Sequence, residues 1–282
     1  MNSLKRSIWF QIITLVVLSA SSVSSKAVQP KETISFTKLA HAGTTVFFAN
    51  SGAADQTGLL FIHGTPGSWE AFQWYLSNPD LQKDYFMVSI DRPGWGGSMI
   101  DVDFDVSSFS IHSAAIGAIF DQFPDKKWIL VGHSLGASIA PQIALDYPDR
   151  VSGLLLLAGS LSPRLGSPRW YNRVANTWIV SKLLGKSMGK SNREIMRLRS
   201  QLAALDIRVK RSKIDADVII LQGKKDKLVS PKNSQYALKN WSEHFSSIAV
   251  VELEGEGHFL PWRQSSLVVE LIEELTQQQN EK

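Results

Sequence analysis

The most informative absence in this 282-residue sequence is cysteine, of which it contains none. A chain without cysteine cannot form a disulfide scaffold, a thiolate zinc site or an iron–sulfur cluster, and it cannot use a cysteine nucleophile. A strong excess of one charge is also missing, because 30 lysines and arginines face 26 aspartates and glutamates. The resulting net charge of +4 does not indicate nucleic-acid binding, and we expect no nucleic-acid partner.

The N-terminal residues have the pattern of a secretory signal peptide. Lys5 and Arg6 precede an apolar run over residues 8–20, and a serine-rich stretch over 21–25 follows it. A basic start, an apolar middle and a small-residue exit are typical of a segment that is cleaved on export. The run is shorter than the roughly 20 residues of a membrane-spanning helix, and an N-terminal membrane anchor stays open as the alternative. We therefore assign residues 1–27 to a signal peptide and expect a periplasmic or secreted protein.

Short apolar runs alternate with helix-like stretches through the rest of the chain. The runs lie at 58–62, 86–90, 128–131, 151–157, 218–221 and 248–251, and the helix-like stretches at 113–123, 135–147 and 265–278. Continuous apolar runs of this length are typical of strands buried on both faces. The alternation predicts an α/β fold with a mostly parallel sheet flanked by helices, and with its functional loops at the carboxyl ends of the strands.

A G-x-S-x-G pentapeptide, Gly132 to Gly136, follows the run at 128–131 directly and opens a predicted helix. In such a strand–turn–helix context the serine sits on a strained turn, and the residues two before and two after it must be small. The turn pushes the serine hydroxyl out at the top of the sheet. We therefore predict that Ser134 is a catalytic nucleophile.

A serine hydroxyl is a poor nucleophile without a base, and the sequence offers a base and an acid downstream. His258 is the last of six histidines and follows Gly257 in the loop after the run at 248–251. Asp226 lies in the loop after the run at 218–221, which gives the chain order serine, acid, histidine. We predict His258 as the base and Asp226 as the acid that orients it, with Glu256 as the rival acid.

The loop after the first run reads His63-Gly64-Thr65-Pro66-Gly67. With this loop and the motifs above, the chain resembles the α/β-hydrolase superfamily, specifically the group with an H-G-x-P-G oxyanion loop. The resemblance implies an α/β-hydrolase fold and an oxyanion hole formed by the backbone N–H groups of Thr65 and Leu135. It implies no metal and no cofactor.

Details of three motifs bear on which members of the superfamily this chain resembles. Asp91 to Gly96 matches the family's turn after the second strand of the pattern, and we assign it no catalytic role. Serine at position 134 argues against epoxide hydrolases and haloalkane dehalogenases, which resemble this chain at the oxyanion loop but use an aspartate nucleophile. The absence of a second glycine before Pro66 argues against proline iminopeptidases.

Residues 162–213 interrupt the alternation at the place where the family often inserts a helical cap, so the predicted core comprises 28–161 and 214–282. Ser191 to Glu194 reads as a capping box that opens a second cap helix. Caps of this kind cover the serine and supply part of the acyl pocket. The candidate substrate contacts are Trp69, Trp170, Trp178 and Phe259, although packing onto the core explains the tryptophans equally well.

The predicted cap has an unusual charge. It contains thirteen lysines and arginines against two acidic residues, an excess of eleven positive charges, and apart from Lys5 and Arg6 the remainder of the chain has an excess of nine negative charges. A solvated basic face is one interpretation. Attraction to an anionic membrane surface or to an anionic substrate is the other.

These features together predict a serine hydrolase that is similar to esterases and lipases. It would act on a small-molecule or lipid ester through an acyl-enzyme on Ser134, without a metal or cofactor. Other activities of the same superfamily stay open: acyl transfer, amide hydrolysis, carbon–carbon bond hydrolysis and cofactor-free perhydrolysis. A receptor that retains the triad without turnover is the non-enzymatic alternative.

Overall fold

The computed structural model describes residues 34–41, 43–100, 105–168, 170–177 and 185–281. The predicted signal peptide and the candidate substrate contact Trp178 lie outside these ranges. The strands are β1 (Ser35–His41), β2 (Thr44–Ser51), β3 (Thr57–Ile62), β4 (Tyr85–Asp91), β5 (Met99–Ile100), β6 (Trp128–His133), β7 (Val151–Leu157), β8 (Ile214–Gly223) and β9 (Phe245–Leu253). All six apolar runs fall within strands, so this prediction is confirmed.

The strands form one sheet in the order β1–β2–β4–β3–β6–β7–β8–β9, with β5 paired to β2. From β4 to β9 every neighbouring pair is parallel, whereas β2 pairs antiparallel with β1, β4 and β5. The antiparallel strands at this edge were not predicted. In β1 exposed and half-buried side chains alternate, and β2 mixes half-buried with buried ones, so both strands lack the continuous apolar run of a strand covered on both faces.

Helices cover both faces of the sheet. They are α1 (Gln73–Leu76), α2 (Pro79–Asp84), α3 (Phe109–Gln122), α4 (Leu135–Asp146), α5 (Trp170–Ala175), α6 (Gly185–Val209), α7 (Lys232–Trp241), α8 (Leu260–Arg263) and α9 (Ser265–Asn280). Alternate residues of β3 show why the runs are continuous: Leu60 and Ile62 pack with α3 and α4, and Leu59 and Phe61 pack with α1 and α9 on the other face. The α/β sheet predicted from the alternation is confirmed.

The segment between β7 and β8 contains α5 and α6, and its role as a helical cap stays a prediction. The predicted capping box is wrong, because α6 begins at Gly185 and places Ser191 and Glu194 in its second and third turns. Both residues are buried. Glu194 is held there by a buried arginine rather than by a helix terminus. Among the residues that the structure describes, no helix is both long and apolar enough to cross a membrane.

Candidate active site

Ser134 occupies the sharp turn between β6 and α4. Its φ of 55° and ψ of −116° lie in a backbone region that residues other than glycine rarely adopt. A Cβ atom on Gly132 would lie 2.6 Å from the backbone nitrogen of Ala137, and one on Gly136 would lie 2.0 Å from the carbonyl oxygen of Ile62. The requirement for small residues on both sides of Ser134 is therefore confirmed as a requirement of backbone packing.

Loops from three strands bring Ser134, His258 and Asp226 together at the carboxyl edge of the sheet. Nε2 of His258 lies 3.0 Å from Oγ of Ser134, and Nδ1 of His258 lies 2.7 Å from Oδ2 of Asp226. The loops after β8 and β9 approach closely, since a Cβ atom on Gly223 would lie 2.4 Å from the carbonyl oxygen of Gly257. This arrangement can move a proton from the serine hydroxyl to the imidazole of His258, whose orientation is fixed by the carboxylate of Asp226.

The carboxylate of Asp226 is held on both of its oxygens. Oδ1 accepts hydrogen bonds from the backbone N–H groups of Leu228 and Val229, at 2.8 and 2.9 Å, and Oδ2 is directed at His258. Burial by itself would raise the pKa of Asp226, but the hydrogen bonds from His258 and the two amides outweigh it and lower the pKa below its usual value. Asp226 is therefore an anion at neutral pH.

The rival acid Glu256 has other partners. Its carboxylate accepts hydrogen bonds from Nε of Arg263 at 2.7 Å and from Nε2 of Gln264 at 2.9 Å. The structure brings Asp226, and not Glu256, to the Nδ1 atom of His258. The geometry thus favours the acid that the sequence order favoured.

His133 occupies the first x position of the G-x-S-x-G pentapeptide, and its contact with the catalytic loop was not predicted from the sequence. Its Nε2 atom donates to the backbone carbonyl of His258 at 2.9 Å, and the two rings lie 4.9 Å apart. Burial, followed by the nearby His258, lowers the pKa of His133 to about 3, so this ring is neutral at physiological pH. A neutral His133 fixes the backbone of His258 without placing a positive charge beside its ring.

The candidate oxyanion donors lie next to the serine. Leu135 is the first residue of α4, so its backbone N–H has no intrahelical partner and lies at the positive end of the helix dipole. Thr65 and Leu135 both line the cavity that also contacts Ser134 and His258. A Cβ atom on Gly64 would lie 2.9 Å from Cβ of Ser134, which shows how closely the H-G-x-P-G loop packs on the serine turn.

The side chain of Arg92 holds the H-G-x-P-G loop in place through hydrogen bonds, and this role was not predicted from the sequence. Its side chain is fully buried, and it donates from Nε to the carbonyl of His63 at 3.0 Å and from Nη2 to the carbonyl of Gly64 at 2.9 Å. Nη1 of Arg92 donates to Glu194 on α6 at 2.7 Å, and the indole nitrogen of Trp95 donates to the same carboxylate at 3.1 Å. One buried ion pair therefore joins the H-G-x-P-G loop to α6.

The electrostatics of this pair are strongly compensated. Burial would raise the pKa of Glu194, but the charge and hydrogen bonds of Arg92 outweigh it and lower the pKa below its usual value. Burial and the charge of Arg92 lower the pKa of the neighbouring His112 to about 3 and that of His63 well below its usual range. Both histidines are therefore neutral beside the arginine, and among the described residues Glu194 alone balances its charge.

A cavity of about 330 Å³ opens above Ser134 between the core and the cap. Its walls combine small polar and aliphatic residues: Thr65, Pro66, Leu135, Ser138, Ser160, Leu165, Gly166, Ser167, Asn172, Met188, Ser191, Ile195, Leu198, Leu228, Val229 and Ser230, with Ser134 and His258 at its base. None of the described wall residues is a lysine, arginine, aspartate or glutamate. A larger depression of about 690 Å³ lies at the opposite edge of the sheet, where the strands begin and where parallel sheets do not carry their sites.

Three of the four predicted substrate contacts do not line this cavity in the described part of the chain. Trp69 is held elsewhere, because its backbone N–H donates to Asp91 at 2.7 Å and its ring packs edge-on against Phe36. Trp170 is 76% exposed on α5, and Phe259 is 55% exposed beside the ring of His258. The fourth candidate, Trp178, lies outside the described residues. No cluster of three or more metal-ligating side chains occurs among the residues described.

Comparisons with known proteins agree with the α/β-hydrolase fold. A family model described as alpha/beta hydrolase fold matches residues 58–180. A 2-hydroxy-6-oxononadienedioate/2-hydroxy-6-oxononatrienedioate hydrolase of Escherichia coli (strain K12 / DH10B) is 30% identical over 129 residues, which are 44% of either chain. The chain thus matches less than half the length of this curated relative.

Solved structures match over most of their length. An epoxide hydrolase from Vigna radiata is 15% identical, with a TM-score of 0.66, over 87% of this chain and 98% of its own. A thioesterase domain from the curacin biosynthetic pathway is 19% identical, with a TM-score of 0.64, over 85% of this chain and 99% of its own. At such low identity these matches speak to the fold alone.

Proposed function

We propose that this chain, which has the α/β-hydrolase fold, is a serine hydrolase that cleaves carboxylic esters through an acyl-enzyme on Ser134. The observation that carries the proposal is the unbroken hydrogen-bonded series Asp226–His258–Ser134, at 2.7 and 3.0 Å, at the base of a cavity and at the positive end of α4. An activated serine next to unpaired backbone donors is the arrangement that acyl transfer needs.

Acylation begins when Oγ of Ser134 attacks the ester carbonyl carbon and Nε2 of His258 takes the hydroxyl proton. The carbonyl oxygen becomes an oxyanion, which the N–H groups of Thr65 and Leu135 stabilise. The ester C–O bond then breaks, and His258 gives its proton to the leaving alcohol. Asp226 remains ionised throughout and stabilises the transient imidazolium, as the lowered pKa of its carboxyl requires.

Deacylation repeats these steps with water. His258 takes a proton from the water, whose oxygen attacks the acyl carbon of the ester formed with Ser134. The second oxyanion collapses, the bond to Oγ breaks, and His258 returns the proton to Ser134. The carboxylic acid product leaves, and the enzyme returns to its starting state with every proton and electron pair accounted for.

The cavity walls favour an uncharged acyl group. A carboxylate in the substrate would lose its hydration on entry, and none of the described wall residues carries a positive charge to replace it. The aliphatic side chains of Ile195, Leu198 and Val229 instead offer apolar contact close to the serine. We therefore propose neutral esters as the substrate class.

The test is a panel of 4-nitrophenyl esters that vary in acyl length and in charge, measured on the wild type and on Ser134→Ala. We expect turnover of neutral esters that Ser134→Ala lacks, and a fluorophosphonate adduct whose mass maps to Ser134. Ser246→Ala, at the opposite edge of the sheet, is the control and should behave as wild type. Ester turnover that survives in Ser134→Ala would refute the mechanism, and ester products formed with added alcohols would indicate acyl transfer instead.

Carbon–carbon bond hydrolysis is the second candidate function. It is supported by the 30% identity to the Escherichia coli hydrolase over 129 residues. The name of that relative denotes a dicarboxylate, which the uncharged cavity walls described above do not favour. Measuring turnover of that dicarboxylate beside the ester panel decides between ester hydrolysis and carbon–carbon bond hydrolysis. If the dicarboxylate is cleaved faster than every ester, carbon–carbon bond hydrolysis is the function and the ester proposal is wrong.

A further inference from the structure

The mouth of the cavity is apolar and faces solvent. Leu165, Met188 and Leu228 line the cavity and are also 38%, 49% and 57% exposed, so they form its rim. Trp170 and Val174, on neighbouring α5, are 76% and 46% exposed. Scattered exposed apolar side chains need no explanation, but three that form the rim of one cavity, with two more on the helix that contributes Asn172 to its wall, mark an interaction surface.

Positively charged side chains flank these apolar residues along the chain. Arg164, Arg173, Lys186 and Arg193 are all exposed, and each lies within a few residues of Leu165, Trp170, Val174 or Met188. None of the four forms an ion pair with a residue that the structure describes. Arg197 and Arg208, farther along α6, do form such pairs, with Asp105 and Asp146 at 2.7 and 2.8 Å. Arg199 and Arg211 are exposed as well and form no ion pair with a described residue, so the four basic side chains beside the apolar residues are one part of the uncompensated charge of residues 162–213.

We infer that this mouth surface, defined by the five apolar and four basic residues just named, docks on an anionic phospholipid bilayer. Acyl chains would receive the apolar side chains, and anionic headgroups would pair with the arginines and the lysine. A nucleic acid would leave the apolar side chains unused, and an uncharged protein partner would leave the cations unpaired.

The charge distribution of the whole chain supports this choice of partner. The cap segment, residues 162–213, has an excess of eleven positive charges, while the rest of the chain beyond Lys5 and Arg6 has an excess of nine negative charges. A chain polarised in this way is oriented by a negative surface before contact, with the basic end leading. Docking would direct the mouth above Ser134 at the bilayer. The inference concerns binding alone and does not depend on the proposed ester chemistry.

The absence of cysteine makes the test simple, because one introduced cysteine can carry an environment-sensitive fluorophore. Met188→Cys places the label in the mouth surface, and Met99→Cys is the matched control, 65% exposed on β5. Both are made in the Ser134→Ala background so that no lipid is consumed. The full chain is mixed with vesicles of phosphatidylcholine alone or of phosphatidylcholine and phosphatidylglycerol in equal parts.

We expect a blue shift at position 188 only with the anionic vesicles, and no shift at position 99. Insertion of the N-terminal apolar run alone would affect both positions equally and would overturn the inference. A shift at 188 that rises with protein concentration without vesicles would indicate self-association and would also overturn it. Binding of inorganic polyphosphate with the same dependence on both charge and Met188 would point to a polyanion instead of a bilayer.

Charge variants provide the second readout. Arg173→Gln combined with Lys186→Gln should weaken partitioning onto the anionic vesicles about 25-fold, since each basic side chain near such a surface contributes about fivefold. The matched control combines Lys127→Gln with Lys239→Gln, two exposed lysines at the opposite edge of the sheet. Equal weakening by both pairs would show that net charge, and not the mouth surface, drives binding.

Discussion

Glu194→Gln is the sharpest test of how the cap is joined to the candidate site. The side chains of Arg92 and Glu194 are 0% and 1% exposed, and Nη1 of Arg92 lies 2.7 Å from Oε1 of Glu194. The substitution keeps the size of the side chain and one oxygen acceptor, but it removes the negative charge. The neighbouring His63 and His112, whose pKa values burial lowers, are neutral and carry no negative charge that could replace it. Arg92 would therefore remain buried without a counter-charge.

The magnitude follows from the burial of the pair. Breaking one partner of a buried ion pair costs about 3–5 kcal/mol, and the retained acceptor places this variant near the lower end. For a domain of this size, about 3 kcal/mol corresponds to a fall in melting temperature of about 6–12 °C. Because Arg92 also holds the carbonyls of His63 and Gly64, ester turnover should fall with stability.

Thermal unfolding by circular dichroism measures the effect, with Arg197→Gln as the matched control. Arg197 lies on the same helix and forms an ion pair of the same 2.7 Å length with Asp105, but the two side chains are 64% and 40% exposed. An exposed pair contributes about 0–1 kcal/mol, so the control should lose less than about 4 °C. Equal losses in the two variants, or a Glu194→Gln protein as stable as wild type, would refute the reasoning.

Three further predictions test other parts of the structure. Asp226→Asn should reduce the turnover number about 10⁴-fold because the amide favours the wrong histidine tautomer, whereas Glu256→Gln should leave it nearly unchanged; comparable losses would contradict the assignment. Burial lowers the pKa values of His63, His112 and His133. Below the unfolded value of 6.5 only the unfolded state therefore gains these protons, and the free energy of unfolding falls as the pH is lowered. Urea titrations should show that the proton uptake of these three rings on unfolding rises from about 0.7 at pH 7 to about 2.7 at pH 5.5, and an uptake that stays below about one at pH 5.5 would contradict the burial of neutral rings. Gly136→Ala should prevent stable folding because its Cβ atom would lie 2.0 Å from a carbonyl oxygen, whereas Gly255→Ala, with open space around it, should yield normal soluble protein.

Much of the fold and of the candidate site could be predicted because the signals are local. Buried parallel strands produce continuous apolar runs, and all six runs lie within strands. The serine turn requires glycines at fixed positions, and the loops that follow β8 and β9 contain one aspartate and one histidine in the expected order. The antiparallel edge strands β1 and β2 escaped prediction because exposed or half-buried residues interrupt their buried ones, as in a surface segment.

The residues that the sequence misread are those whose role depends on distant partners. Ser191 and Glu194 have the spacing of a helix start, but α6 begins six residues before Ser191 and Glu194 pairs with Arg92, 102 positions away. Trp69 lies two residues after the H-G-x-P-G loop, yet its backbone N–H donates to Asp91 and its ring packs against Phe36. Proximity along the chain did not predict proximity to the cavity.

The sequence by itself determined the candidate triad, since a serine on a strained turn, a histidine and an aspartate are each specified by the strand and glycines beside them. It also determined the charge contrast between the cap segment and the rest of the chain. Only the tertiary structure decided which side chains surround the cavity and how Arg92 is neutralised. The physical reason is that burial and charge compensation depend on which segments pack together, and no local pattern encodes a contact across 102 residues.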